Sequence, residues 1–159
     1  MPIVLYRIDE RLIHGQVVIG WGHELRPTRF VVVDDELAGS AWEQDLYRLA
    51  VADADVEFAS VDDARGRLDA LRASPERTIL LTRDIASMRR LGEGGTLRGV
   101  PVNLGGLHHA AGRRELLPYL FVSDADRDEL ERLAAAGAEV TARDLPDAHR
   151  VELAALLGG

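Results

Sequence analysis

Apolar residues fall into two alternating patterns along the chain: short unbroken runs, and longer stretches with an apolar residue at every third or fourth position. Pro2 to Ile8 (PIVLYRI), Arg29 to Val33 (RFVVV), Val56 to Ala59, Thr78 to Thr82 (TILLT) and Val100 to Leu104 are short and mostly apolar, as expected of strands buried on both faces. Leu116 to Val122 contains a sixth strand after Pro118, and Glu139 to Ala142 reads as a last strand at an edge. Between the runs the period changes. Val17, Val18, Trp21 and Leu25 recur at helical spacing from Gly15 until Pro27 stops them, with Gly20 and Gly22 weakening that helix. Ser40 with Glu43 starts a helix over residues 41–52, and Asp62 or Asp63 caps another that carries Ala64, Leu68 and Leu71 and ends at Pro75. Asp84 opens a short helix through Leu91, Ser123 opens one with Leu130 and Leu133 that ends at Gly137, and residues 146–157 form a closing helix.

Strands alternating with helices imply crossover connections. The predicted fold is therefore a single-domain α/β protein with an open, mainly parallel sheet of about seven strands, helices on both faces and the last strand antiparallel at an edge. The chain has 159 residues and 47% hydrophobic content, which suits one compact domain over residues 1–159. The absence of cysteine excludes disulfides and thiolate-based zinc sites and is compatible with a reducing cytosol. No apolar run has the length of a membrane span or the flanks of a signal peptide, so a soluble, cytoplasmic protein without direct membrane insertion is expected. A net charge of -8 opposes nucleic acid and anionic lipid as partners, so any phosphate site must be locally cationic.

In a parallel sheet the loops after the strands emerge at one edge, and ligands gather where strand order reverses. That edge should collect Asp9 to His14, Asp34 with Asp35, Arg83 with Asp84, and Asn103-Leu104-Gly105-Gly106. His14 suits a phosphoryl group. A neutral imidazole nitrogen is nucleophilic near neutral pH, and the phosphoramidate it forms stays reactive enough to pass the group on. Arg11 offers a planar donor fork for phosphate oxygens, and the N–H groups of Gly15, Gln16 and Val17 at a helix start add favourable dipoles. Gly15 permits close backbone approach, and Asp9 is placed to orient Arg11 or the imidazole.

Plainer readings stand beside these. A lone loop histidine is more often a surface or structural residue, and Arg11 can pair simply with Asp9 or Glu10. For Asp34 and Asp35, helix capping or turn formation comes ahead of a site role. Asn103, Gly105 and Gly106 read as a site-lining turn, because the stretch lacks a P-loop lysine and a dinucleotide fingerprint. His23 and His149 read as solvated or packing residues. His108 and His109 lie in a glycine-bearing loop without a nearby carboxylate or thiolate, so no metal is expected there.

The run Arg7-Ile8-Asp9-Glu10-Arg11-Leu12-Ile13-His14-Gly15-Gln16-Val17 resembles the active-site signature of the mannose/fructose/sorbose-type IIB component of the bacterial phosphoenolpyruvate-dependent sugar phosphotransferase system (PTS). Val31-Val32-Val33-Asp34-Asp35, Val102-Asn103-Leu104-Gly105-Gly106 and Val122-Ser123 extend the resemblance over essentially the whole chain. It implies an enzyme, a protein-histidine phosphotransferase without a cofactor. His14 would accept a phosphoryl group at Nδ1 from a phosphohistidine of a IIA protein and pass it to a sugar held by IIC and IID membrane subunits, peripheral contact with those subunits placing it at the inner membrane. Arg11 maps onto the motif arginine and Asp9 onto the motif aspartate. Glu10 departs from a second aspartate common in the family, and the loop Leu107 to Ala111 is not a familiar family pattern. A regulatory phosphorelay through the same His14, without sugar transport, is the alternative; a homo-oligomer is left open.

Overall fold

The structure, a computed structural model, describes residues 2–158. In chain order its elements are strand β1 (Ile3–Ile8), a π-helical stretch (Gln16–Trp21) running into α1 (Gly22–Leu25), β2 (Arg29–Val33), α2 (Asp35–Ala38), α3 (Ala41–Leu49) and β3 (Asp55–Ala59). These are followed by α4 (Val61–Ala73), β4 (Thr78–Thr82), α5 (Ile85–Leu91), β5 (Pro101–Leu104), β6 (Arg114–Leu117), β7 (Leu120–Val122), α6 (Asp124–Ala135), β8 (Glu139–Ala142), β9 (Val151–Glu152) and α7 (Leu153–Leu157). Among the described residues, seven strands make one sheet in the order β3-β2-β4-β1-β5-β8-β9, parallel throughout except for the β8–β9 edge.

Side-chain alternation along the strands separates two cores. Ile8, Val31, Val33 and Leu80 pack with Leu68 and Leu71 of α4, Ile85 and Met88 of α5, and Leu130 and Leu133 of α6. On the other face Phe30, Val32, Ile79 and Leu81 pack with Leu12, Val17, Trp21 and Leu37. Every residue of β4 is buried, which explains why TILLT reads as an unbroken apolar run. Each such Leu, Ile or Val contributes about 1.5–3 kcal/mol relative to an exposed side chain. The second core draws its strand residues from β3, β2, β4 and β1. Beyond them Pro101, Asn103, Glu139 and Thr141, with Trp21, Arg77, Arg143 and Arg150, line an open groove of about 630 Å³.

Several local expectations are corrected. Glu139–Ala142 is an interior strand parallel to β5, and the antiparallel edge is the two-residue β9, too short to show a pattern of its own. The closing helix accordingly starts at Leu153 rather than residue 146. The sixth predicted strand is part of a separate β6–β7 hairpin. The expected helix over 41–52 stops at Leu49 and is preceded by α2, while Ser60, not Asp62 or Asp63, caps α4 by accepting the Asp63 N–H at 3.1 Å. The first helix is π-helical through Trp21 and ends at Arg26 in the left-handed region, φ 51°. Its Gly20 permits a close crossing, since a Cβ there would lie 2.8 Å from Leu145 Cδ2.

Candidate functional site

The chain leaves β1 toward β2 on one side and leaves β5 toward β8 on the other, so a crevice opens between the ends of β1 and β5. There Arg7 lies opposite Asn103 and Ile8 opposite Leu104. The ladder continues past the strands: Gly105 N–H donates to Ile8 O at 2.7 Å and Glu10 N–H to Gly106 O at 2.9 Å. The backbone then turns, with Leu12 N–H donating to Asp9 O at 3.0 Å and Leu12 held at φ 58°. That conformation costs a leucine roughly 1–2 kcal/mol, offset by burial of Leu12 and Ile13 in the core beneath. The anchored turn sets His14 at the lip of the crevice, its side chain 13% exposed.

Asp9 is the centre of the cluster. Its fully buried carboxylate receives Arg7 through Oδ2, from Nη2 at 2.9 Å and Nε at 3.3 Å, and the Gly106 N–H at 3.4 Å. Oδ1 accepts the Arg11 N–H at 3.1 Å, with Arg11 Nε 4.0 Å away. His14 Nε2 lies 3.2 Å from Oδ2; this nitrogen is buried, and its N–H direction falls short of an aligned hydrogen bond. Burial alone would push the Asp9 carboxyl up, but the His14 contact, the Arg7 charge, the His14 charge and the Arg11 N–H outweigh it and hold the group below the usual aspartate value. With Nε2 turned inward, Nδ1 is the ring nitrogen not facing Asp9.

Arg7 is the residue that sequence reasoning passed over. It is completely buried, donates to Asn103 Oδ1 and to the Arg143 carbonyl at 3.0 Å, and lies 5.4 Å from the Trp21 ring centroid. Burial draws its basicity down while Asp9 opposes the change. A lone cation inside the apolar run PIVLYRI was the available signal.

The other predicted residues divide clearly. Arg11 is partly exposed and donates from Nη2 to Gln16 Oε1 at 2.9 Å, which ties both side chains to the His14 turn. The amides of Gly15, Gln16 and Val17 stand ahead of the first helical bond, Val18 N–H to His14 O at 2.8 Å. Gly15 has ordinary helical angles, and a Cβ there would meet open space, so its backbone freedom is not what the turn requires. Val17 buries its side chain in the core. Asn103 accepts from Arg7 and donates to Arg143 O at 3.1 Å. Gly105 lies against the Arg7 guanidinium so closely that a Cβ would overlap it, whereas Gly106 contributes its N–H to Asp9.

Asp34 and Asp35 make their contacts elsewhere. Asp34 caps α2 through the Leu37 N–H at 3.0 Å, with Arg83 Nε 3.8 Å from its other oxygen. Asp35 accepts the Val61 N–H at 2.9 Å and pairs with Arg90 at 2.8 Å, the Arg90 hydrogen bond holding its carboxyl below the usual range. Asp84 caps α5. Glu10 reaches to the loop after β5: its Oε2 accepts the His108 N–H at 2.8 Å and lies 2.7 Å from His108 Nδ1, and Oε1 accepts from Arg113 at 3.2 Å. The expectation that no carboxylate lies near His108 is corrected by this contact, which no local pattern displays because the partners are 98 residues apart or more.

His14, Arg11 and the amides of Gly15, Gln16 and Val17 thus share one turn, and residue types of this kind suit an anionic, transferable group. Among the described residues no three His, Asp or Glu side chains are grouped to hold a metal ion, and no helix is long and apolar enough to cross a membrane. Residues 3–159 match the family described as PTS system sorbose subfamily IIB component. The chain is 33% identical to the N-acetylgalactosamine-specific phosphotransferase enzyme IIB component 2 of Escherichia coli K12, over 99% of this chain and all of that one. It is 34% identical to the mannose-specific EIIAB component of the same organism, over 90% of this chain and 44% of the longer relative. The crystal structure of manxB from Thermoanaerobacter tengcongensis superposes with a TM-score of 0.86 at 28% identity, covering 98% of this chain and 95% of that one.

Proposed function

Because the chain belongs to the sorbose subfamily of PTS IIB components, sugar phosphotransferases that work with IIA and IIC/IID subunits, we propose that His14 is the residue that carries the phosphoryl group. In this reading residues 1–159 act as one cytoplasmic IIB domain. Nδ1 of His14 attacks the phosphorus of a phosphohistidine on a IIA protein and later yields the group to a sugar held by IIC and IID. The transfer runs in line through a loose, metaphosphate-like transition state, where catalysis is positioning and charge stabilisation. Arg11 supplies the cationic fork, the amides of Gly15, Gln16 and Val17 supply dipoles, and Asp9 orients the ring. The observation that carries the reading is the 3.2 Å approach of His14 Nε2 to Asp9 Oδ2, which turns that ring nitrogen toward the carboxylate and Nδ1 away from it.

The test is phosphorylation with phosphoenolpyruvate, the general PTS proteins and a cognate IIA. The wild type acquires acid-labile, base-stable label and His14→Ala acquires none; label surviving that substitution overturns the assignment. In the same assay Arg11→Ala, at a partly exposed position, keeps its thermal midpoint while transfer slows roughly thirty- to a thousand-fold, the loss of about 2–4 kcal/mol of transition-state stabilisation. An unchanged rate removes Arg11 from its role.

A further inference from the structure

A buried guanidinium is a costly thing to place in a strand, because a charge taken out of water must be repaid by close partners. The site of Arg7 is built to do so. Its fork holds Asp9 Oδ2 with both Nε and Nη2, its remaining arm is held by Asn103 and the Arg143 carbonyl, and one side lies over Trp21. Gly105 completes the seat, since any side chain there would occupy the space of the guanidinium. Asn103 and Gly105 come from β5 and the turn after it, so Arg7 is aimed from a strand 96 residues away in the chain. Asp9 is the one carboxylate that Arg7 contacts among the described residues, and the oxygen it grips is the oxygen that faces His14.

Building on the phosphoryl-carrier reading of His14, we infer that Arg7 is a positioning residue for the transfer: by fixing Asp9 Oδ2 against Nε2 of His14, it keeps the ring proton on Nε2 and presents the Nδ1 lone pair to phosphorus. A carboxylate left to itself turns about a broad terminal torsion, and which imidazole nitrogen bears the proton is set by what the other one meets. As the Nδ1–P bond forms, the P–N bond to the donor imidazole breaks and its electron pair stays on the donor nitrogen. The His14 ring gains positive character while its proton remains on Nε2, opposite the Asp9 carboxylate. Arg7 never touches the phosphoryl group. It acts through Asp9.

The experiment pairs side-chain 15N NMR of His14, at a pH where the ring is neutral, with phosphorylation rates from a IIA phosphohistidine. Wild-type protein should show the Nε2–H tautomer. Arg7→Lys keeps the charge without the fork, and Gly105→Ala keeps Arg7 but displaces its guanidinium. Both should give a tautomer mixture and transfer slowed roughly 10- to 100-fold, the usual cost of removing a residue that orients an imidazole. A predominant Nδ1–H tautomer in the wild type overturns the inference without any variant. So does a folded Arg7→Lys or Gly105→Ala protein with wild-type tautomer and rate. Failure of wild-type His14 to take label is a different result, since it removes the carrier reading while the NMR comparison still reports on Arg7 and Asp9.

Discussion

Two acidic pairs follow apolar strands at the same edge of the sheet, Asp9-Glu10 after β1 and Asp34-Asp35 after β2, and the structure uses them differently. Asp34 and Asp35 serve backbone. One caps the helix that begins immediately after it, and the other accepts the first amide of α4. Asp9 instead turns inward, gathers Arg7, Arg11, Gly106 and His14, and is sealed from solvent. The residue two places earlier separates the two cases: Val32 in β2, Arg7 in β1. Neighbouring strands complete the contrast, because β1 borders β5 at the crevice whereas β2 lies between β3 and β4. An acidic pair after a strand is thus a cap when a helix follows at once, and a site when a buried cation stands behind it.

The contrast breaks most easily at Asp9. Asp9→Ala leaves the buried Arg7 without its carboxylate and should cost about 3–5 kcal/mol, read as a drop in urea midpoint; a cost below about 1 kcal/mol would mean that the Arg7–Asp9 pair is not a buried unit. Asp34→Ala should cost about 0.5–2 kcal/mol, the value of one helix cap, and the same urea titration would erase the comparison if both substitutions cost the same. The smallest effect is at Glu10. Burial pushes its carboxyl up, but the His108 N–H and the Arg113 hydrogen bond and charge prevail and hold it below the usual glutamate value. Its contribution is therefore complete above the ordinary glutamate range and is lost as pH falls through the lowered folded value. Glu10→Gln should remove about 0.2–1 kcal/mol at neutral pH and flatten the acid limb of stability, and chemical denaturation at several acidic pH values checks it.

Much of the fold was legible because its cause is local. TILLT, RFVVV and PIVLYRI announce strands by what they bury, and Ser123 announces a helix start, to which the structure adds a reciprocal cap with Asp126. The motif from Asp9 to Gln16 was legible as a candidate site for the same reason, since its histidine, arginine and carboxylate lie close in sequence. The misses share another origin. A two-residue strand such as β9 has no pattern to display, and the segment that crosses close to Gly20 carries Leu145, far away in the chain.

Sequence alone therefore determined which residues are apolar at which period, hence the parallel α/β sheet, and which short stretch carries an imidazole beside a guanidinium. Tertiary structure alone decided that Arg7 is a buried partner of Asp9 rather than a misplaced surface charge, that Asp35 meets the distant Val61 amide, and that Glu10 holds the His108 loop. The physical reason is that burial patterns are set residue by residue along a strand, whereas the worth of a charge depends on which strand lies beside it. For Arg7 that strand is β5, and only folding brings Asn103 and Gly105 to its side.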